Sequence, residues 1–497
     1  MLNNFKKNTL LYSSIGVLFL FSLFVFFYTR GFYEFIESSS VWVREWFGGF
    51  YLWLGLFCVL FLIVVAFSPL GRRRLGKEDE KPEHSRWAWI SMLYSAGMGA
   101  GILLRAVQEP VYMQQNPPLK TGVSPDIMAL EYTFYQWGFT AWAFYGLFAM
   151  IIGYYLFVHN KKVLVSVSIE DTIRFTPALW GIDVLAIITT VFGLIGAVGL
   201  GTTQINGGLN HLLEGEFGVT TTVLLTLLIS LIAFVSVWKG VNKGIKVISK
   251  LNISVTLILL AYIFIQSDIL QIFRSFFTAL YQYIIDFVPM SIAYGDYDPG
   301  EAFLTDWTYY YWAFWLAWAP FTGIFIARIS RGRTLREMLL GVMIIPSLGT
   351  FFWFSVFGES AFQLLEQWGA YNNEFGNVFN SIFIFFQSYP LQALVNGTTI
   401  VLLISFLVTS VDSAVFVLSM FTDKGKQLPS KRHRLIWSVF IAVFAVAIVI
   451  LGNAKPEISV LTALQKLLII TSLPFSLFMV VMTIIFLKDF LRPRVNV

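Results

Sequence analysis

Residues 307–337 read WTYYYWAFWLAWAPFTGIFIARISRGRTLRE. From Trp307 to Ala327 the run is uncharged, long enough to cross a hydrocarbon core of about 30 Å as a helix. It ends on Arg328, Arg331, Arg333 and Arg336, the kind of basic cluster that marks a cytoplasmic loop. Two features set it apart from a plain anchor. Trp312, Trp315 and Trp318 recur every three residues within the span, whereas tryptophan ordinarily gathers at the membrane interface. Pro320 removes a backbone donor inside the span.

Apolar runs of this kind recur from end to end. The 497 residues are 57% hydrophobic and 13% charged, against roughly a quarter charged in an ordinary soluble domain. The mean hydropathy is +0.72. These values exclude a soluble enzyme, a nucleic-acid binder and a disordered scaffold. The net charge of +5 sits in loops between apolar runs and is no nucleic-acid signal. Cys58 is the single cysteine and lies within an apolar run, so there is no disulfide framework and no Cys/His metal pattern. His84, His159, His211 and His433 all fall outside mid-span positions, which leaves no cluster for a membrane enzyme. No small-residue cleavage site follows the first apolar run, which therefore reads as a retained helix.

The pattern predicts twelve spans, at 9–29, 49–68, 89–108, 132–157, 182–207, 218–238, 247–267, 306–328, 335–357, 396–421, 433–453 and 464–487. Residues 269–287 are aromatic and amphipathic and predict a helix lying on the outer surface. Residues 375–389 look similar and are too short to cross. With the N-terminus inside, 27 of the 34 Lys and Arg residues fall on the cytoplasmic side, as the positive-inside rule requires. Both termini are then cytoplasmic, and the protein is a multi-pass protein of a bacterial-type inner membrane.

The third span carries Gly97-Met98-Gly99-Ala100-Gly101 at mid-depth. Three glycines in five residues suit local unwinding or close helix packing through small residues. Pro320 stands in the eighth span, five spans later. Interruptions at matching positions in two halves point to a transporter's midplane site, so spans 3–7 and 8–12 read as two five-helix repeats. The corresponding division is 1–88 (N-terminus and peripheral spans 1 and 2), 89–267 (first repeat), 268–304 (surface helix and outer loop), 305–487 (second repeat) and 488–497 (short tail). The fold class is an all-α integral membrane protein.

Aromatics gather beside these interruptions. QWGFTAWAFY in the fourth span places Trp142 and Tyr145 on one face with Trp137 at its edge, and the eighth span adds Trp312, Trp315 and Trp318. Aromatic faces converging on one point make a cage for a quaternary ammonium or similar soft cation, worth about 0.5–2 kcal/mol per face.

With these motifs on the page, the chain resembles the betaine/choline/carnitine transporter family over spans 3–12. The matching segments are 307–337, GMGAG (97–101), WGFTAWAFY (137–145) and TSVDSA (409–414). The resemblance implies a leucine-transporter-like inverted repeat, a homotrimer with contacts from 269–287 and the second span, and uptake of trimethylammonium-type zwitterions by alternating access. It implies an aromatic box at Trp137, Trp142, Tyr145 and Trp315, with Trp318 along the substrate path. Choline-type members carry an acid where this chain has Gly101. No carboxylate is then expected to balance a net cation, which favours a zwitterion whose own carboxylate is held by the amides of Gly97, Met98, Gly99, Ala100 and Gly101. No cofactor is implied beyond a coupling ion. Sodium is placed between the hydroxyls of Thr409 and Ser410 and the carbonyls around Ser95 and Met98. A second sodium site matches at Thr190 and Phe321, but Leu194 stands where a threonine is expected. Exchangers that work without sodium carry a basic residue where this chain has Asn252. The alternatives are such an exchanger, or a sodium-coupled transporter of an amino acid or sulfonate in the same fold.

Arg105 departs from the family's usual aromatic. It either snorkels to the outer surface, pairs with Glu109 one turn on, or faces the pathway and favours a more anionic substrate. Glu359 is either a partner for Arg105 or solvated. Asp412 is expected to find a structural partner, Arg328 or Arg331. The short C-terminal tail argues against stress activation of the kind that long charged extensions confer.

Overall fold

The computed structural model describes residues 8–97, 99–239, 242–455 and 457–491, and only the backbone of 95–97 and 242–246. Among the described residues the regular elements are helical, and a lone antiparallel bridge joins Arg74 to Thr334. In chain order the helices are α1 (Thr9–Phe67), α2 (Arg86–Gly97), α3 (Ala100–Arg105), α4 (Gln108–Gln115), α5 (Pro125–Trp137) and α6 (Phe139–Phe157). They continue with α7 (Thr176–Leu212), α8 (Val219–Lys239), α9 (Asn242–Gln266), α10 (Ile269–Ile292) and α11 (Glu301–Ile329), which contains a π turn at Thr305–Tyr309. The last are α12 (Leu335–Trp368), α13 (Ser381–Phe386), α14 (Gln392–Thr422), α15 (Lys431–Leu451) and α16 (Val460–Phe490). Counting α5 with α6 as one, ten are long and apolar enough to cross a membrane. The chain is a multi-pass membrane protein.

Two expectations are corrected. Residues 30–48 are not a loop between two spans. They are helical within α1, whose 59 residues are interrupted only at Tyr28 (φ −142°, ψ 40°). No proline precedes Pro69, and two of the three serines of the polar middle bond back to their own helix, Ser38 Oγ to the Glu34 carbonyl (2.9 Å) and Ser39 Oγ to that of Phe35 (2.8 Å). At a rise of 1.5 Å per residue the arms on either side of Tyr28 are about 29 and 59 Å long, the second far more than one crossing needs.

The second correction concerns Pro320. α11 runs through it unbroken, clamped among α6, α7 and α16. A missing N–H costs one hydrogen bond, and a helix held by neighbours tolerates it. The matched pair of interruptions is therefore absent at that point. The third span does break, with α2 ending at Gly97 and α3 starting at Ala100 after an extended Gly99 (φ −152°, ψ −174°). The irregularity of the eighth span is its π turn.

The two segments read as too short or too amphipathic to span do form helices. α10 buries Ser275, Ala279, Tyr283 and Asp286 and exposes Phe273, Phe277, Tyr281, Ile284 and Val288. α13 is a short helix with Phe383, Phe385 and Phe386 buried. Loops are tied by caps and by the basic residues. Thr334 accepts from the Glu337 amide at the start of α12, an N-cap bond. Arg336 Nε donates to the Ala66 carbonyl at the end of α1 (2.7 Å), and Arg73 donates to the Phe490 carbonyl at the end of α16. Each places a cation where a helix C-terminus leaves carbonyls unmet.

Gly138 divides α5 from α6. A Cβ there would lie 2.5 Å from the Phe134 carbonyl oxygen and 2.5 Å from Phe351 Cζ on α12. Because the oxygen belongs to the backbone, it cannot rotate away. Gly138→Ala is expected to destabilise the protein by about 1–3 kcal/mol through overpacking, seen as a lowered midpoint in thermal unfolding of the detergent-solubilised protein. An unchanged midpoint would mean that α12 yields freely at this contact.

Candidate functional site

The site is built at the kink between α5 and α6. A helix end leaves backbone groups without partners, and side chains meet two of them here. The Gln136 carbonyl, in the last turn of α5, accepts from Trp315 Nε1 at 2.9 Å. The Phe139 amide, first in α6, donates to Tyr283 Oη of α10 at 3.0 Å. The kink puts Trp137 at the end of one helix and Trp142 and Tyr145 on the first turns of the next.

All four expected box residues are buried, and Trp315 links them. Its ring lies 5.2 Å from that of Trp137 and 6.3 Å from that of Tyr145, both edge-on, and Trp142 packs edge-on against Tyr145 at 5.4 Å. Such offset and perpendicular pairs add to the hydrophobic burial. Trp318 is half-buried and continues the line through Phe314 (6.2 Å) and Phe321 (5.6 Å). Trp312 leaves it, because three residues are less than one turn and the stripe rotates. It is fully buried between Tyr135 (5.1 Å) and Phe144 (6.3 Å).

The broken third span reaches this cluster at Gly101, where a Cβ would meet Trp137 Cη2 at 3.4 Å. An added side chain at 101 would therefore touch the box wall. Gly99 and Ala100 are partly buried at the start of α3. Met98 lies outside the described residues, as do the side chains of Ser95 and Gly97.

The sequence does not reveal what stands on the other side of Trp137. Its Nε1 donates to both oxygens of Glu109 at 3.2 Å, and Tyr311 Oη donates to the same carboxylate. Tyr311 itself lies 5.6 Å from Trp137 and 5.9 Å from Trp315. Its place one helical turn before Trp315 was the available signal. Phe354 of α12, 5.2 Å from Trp137, had none. Glu109 thus places a carboxylate beside Trp137 although position 101 is glycine.

Arg105 does not snorkel. It is 5% exposed, with Nε 3.8 Å from a wholly buried Glu109, Nη1 2.6 Å from Gln108 Oε1, and its guanidinium 4.7 Å from the Trp307 ring centre. Glu359 is neither its partner nor solvated. It is buried and accepts from Ser275 Oγ at 2.7 Å. Asp412 interacts with Arg434 and Ser236, whereas Arg331 pairs with Glu80 at 2.6 Å and Arg328 lies over Phe416.

The hydroxyls proposed for sodium bond within their own helices. Thr409 Oγ1 donates to the Ser405 and Phe406 carbonyls, each at 3.0 Å, and Thr190 Oγ1 to that of Ala186 at 2.8 Å, a common use of such residues. Ser410 is half-buried. α14 packs on α3, so Thr409 and Ser410 share a helix pair with the break. α7 and α11 approach closely at Gly193, where a Cβ would lie 3.3 Å from the Ala317 carbonyl, one turn from both Thr190 and Phe321. Asn252 is buried and accepts from Ser405 Oγ at 2.6 Å.

Comparison with known proteins agrees with this geometry. Residues 9–494 match the model of the betaine/carnitine/choline family transporters. The glycine betaine transporter OpuD of Bacillus subtilis (strain 168) is 36% identical over 453 residues, covering 90% of this chain and 87% of the relative. The high-affinity choline transport protein of Escherichia coli (strain K12) is 32% identical over 478 residues, 94% of this chain and 69% of the relative. The ectoine/hydroxyectoine transporter of Virgibacillus pantothenticus is 31% identical over 443 residues, 88% and 87% of the two chains. A family match over nearly the whole chain, with relatives that are transporters and not enzymes, assigns this protein to the betaine/carnitine/choline transporter family.

Proposed function

We propose that this protein is a sodium-coupled symporter that carries a zwitterionic, betaine-like onium solute into the cell by alternating access. The observation that carries this is the cluster of Trp137, Trp142, Tyr145 and Trp315 joined ring to ring through Trp315, against which Gly101 and the helix break abut. Aromatic faces hold the onium group through their quadrupoles. The amides at the start of α3, around Gly99, Ala100 and Gly101, which a helix N-terminus leaves without intrahelical partners, would hold the carboxylate, as half-helix N-termini do. Trp318 lines the approach. The relatives named for glycine betaine, choline and ectoine support this solute class.

Sodium coupling rests on oxygen ligands. Thr409 and Ser410 would join the carbonyls of Ser95 and Met98, with Thr409 exchanging its bonds to Ser405 and Phe406 for the ion. Asn252, occupied with Ser405 and not a cation, leaves room for that charge. A second ion at Thr190 and Phe321 lacks a hydroxyl at Leu194, so one sodium per solute is proposed. The long first helix, bent at Tyr28, would cross twice, and the broken α2–α4 once. Twelve crossings follow, with α2–α9 and α11–α16 as two inverted repeats. The loop arginines and lysines support cytoplasmic termini and a bacterial inner-membrane location. The exposed apolar face of α10 supports a homotrimer.

Trp142→Leu is expected to weaken solute binding by about 1–3 kcal/mol, through loss of a ring face and its burial. Trp315→Leu is expected to weaken binding by a similar amount and also to lower the thermal unfolding midpoint, since it strands the Gln136 carbonyl in the folded protein. Tryptophan-fluorescence titration with glycine betaine measures both, and unchanged affinity in both variants would sink the onium site.

Combined Thr409→Ala and Ser410→Ala should abolish sodium stimulation of uptake in proteoliposomes while leaving thermal unfolding near that of the wild type. Equal wild-type uptake with sodium and with potassium would identify an exchanger instead.

A further inference from the structure

Beside the aromatic cluster lies a buried pair of opposite charges that solute binding as described does not use. Glu109 is wholly enclosed. Its oxygens receive Trp137 Nε1 and Tyr311 Oη, and both of those rings contact Trp315. The carboxylate is therefore one residue removed from the ring faces. Among the described residues its ion-pair partner is Arg105. That guanidinium is held in place on two further sides, by Gln108 Oε1 and by the Trp307 ring, and so cannot swing away to water at small cost.

In a low-dielectric interior a charge is felt at distances where water would screen it. Without Arg105, a wholly buried Glu109 would keep its proton until a cationic solute arrived, and the carboxylate formed then would draw in any solute with a net positive charge by its negative potential. Arg105 cancels that potential. The ring faces then present only their quadrupoles, which hold an onium group but do not balance a whole charge. A solute that brings its own carboxylate meets no electrostatic deficit, whereas a permanent cation enters a site with no net counter-charge.

We propose that Arg105 is a specificity-determining residue that acts through Glu109: by neutralising the carboxylate against Trp137 and Tyr311, it makes the site select net-neutral zwitterions over permanent cations such as choline. This rests on the reading of the cluster as an onium site. Arg105 is a positioning residue here and touches the protein, not the solute. Gly101 alone does not exclude a carboxylate from the site, because Glu109 stands there already. The pair leaves the site neutral.

The test uses the full-length protein and its affinities for glycine betaine and for choline, by fluorescence titration and by proteoliposome uptake. In Arg105→Met the ratio of the two affinities should move toward choline by about tenfold or more, the size expected when one partner of a buried ion pair is removed. Arg105→Lys should stay within about threefold of the wild-type ratio, since it restores the charge. Adding Glu109→Gln to Arg105→Met should return the ratio toward that of the wild type. If Arg105→Met does not fold, Glu109→Gln alone leaves the arginine uncompensated and should move the ratio the opposite way, against choline. Equal losses for both solutes, or a shift that persists in the double variant, would overturn the proposal. A wild type that binds neither solute would instead overturn the onium site itself, and this inference with it.

Discussion

In lipid a backbone has no water to fall back on, so each departure from helix must be buried in protein and its amides and carbonyls met there. Apart from the break at Tyr28 in α1, the departures within the described spans are not scattered. The break before Ala100, the turn between Arg105 and Gln108, the kink at Gly138 and the π turn at Thr305–Tyr309 are joined by direct contacts. Gly101 faces Trp137, Arg105 lies over Trp307, and Thr308 within the π turn bonds to Tyr132 Oη (3.1 Å) and Gln136 Nε2 (3.3 Å) of α5. Irregular turns inside helices tend to mark functional places. Here they form one connected region, and it is the region of the aromatic cluster.

Trp315 shows how far backbone and site are the same problem. Its indole N–H meets a carbonyl at the end of α5, and its ring contacts Trp137, Tyr311 and Tyr145. The hydrogen bond fixes the ring's rotation, so the face offered to neighbouring aromatics is set by the kink. Tyr283 does the corresponding service for Phe139 from α10. The amphipathic surface helix is thereby tied to the same kink, with its apolar aromatics outward and its hydroxyl inward.

What the sequence disclosed, and what it did not, follows from range. Hydropathy is a local property, so spans such as 219–239 and 431–451 are legible within a few residues. The aromatics of the fourth and eighth spans are legible as facing residues because helical period fixes them. The kink at Gly138 is not legible, because a single glycine in an apolar helix is usually just a packing contact; the close approaches that require it, of the Phe134 carbonyl and of Phe351 more than two hundred residues away, arise only in the fold. Pro320 misled for the opposite reason, since a strong local signal was overridden by the helices around α11. Residues 30–48 carry enough polar side chains to suggest a loop, yet Ser38 and Ser39 satisfy themselves on the helix. Partners distant in sequence were also misjudged. Asp412 meets Arg434, and Glu359 meets Ser275.

Buried charge separates what is structural here from what belongs to the site. Asp183, near the start of α7, is satisfied by the Val165 and Ser166 amides (3.0 and 2.9 Å) and by Ser166 Oγ (2.7 Å). Arg333 is buried against Glu337 (2.7 Å), the His84 carbonyl (2.8 Å) and the Trp89 ring (4.3 Å). Both tie loops to helix ends and need no further role to explain them. The pair of Arg105 and Glu109 lies within the broken span and ties no loop. Desolvating two charges is expensive, and an apolar pair of similar size often serves stability as well. Its carboxylate is bonded to Trp137 and Tyr311, the rings that flank Trp315, so the charges bear on the ring cluster in a way that neither Asp183 nor Arg333 does. A buried pair that holds no loop but touches the aromatics on both sides of Trp315 is best understood through what those aromatics bind.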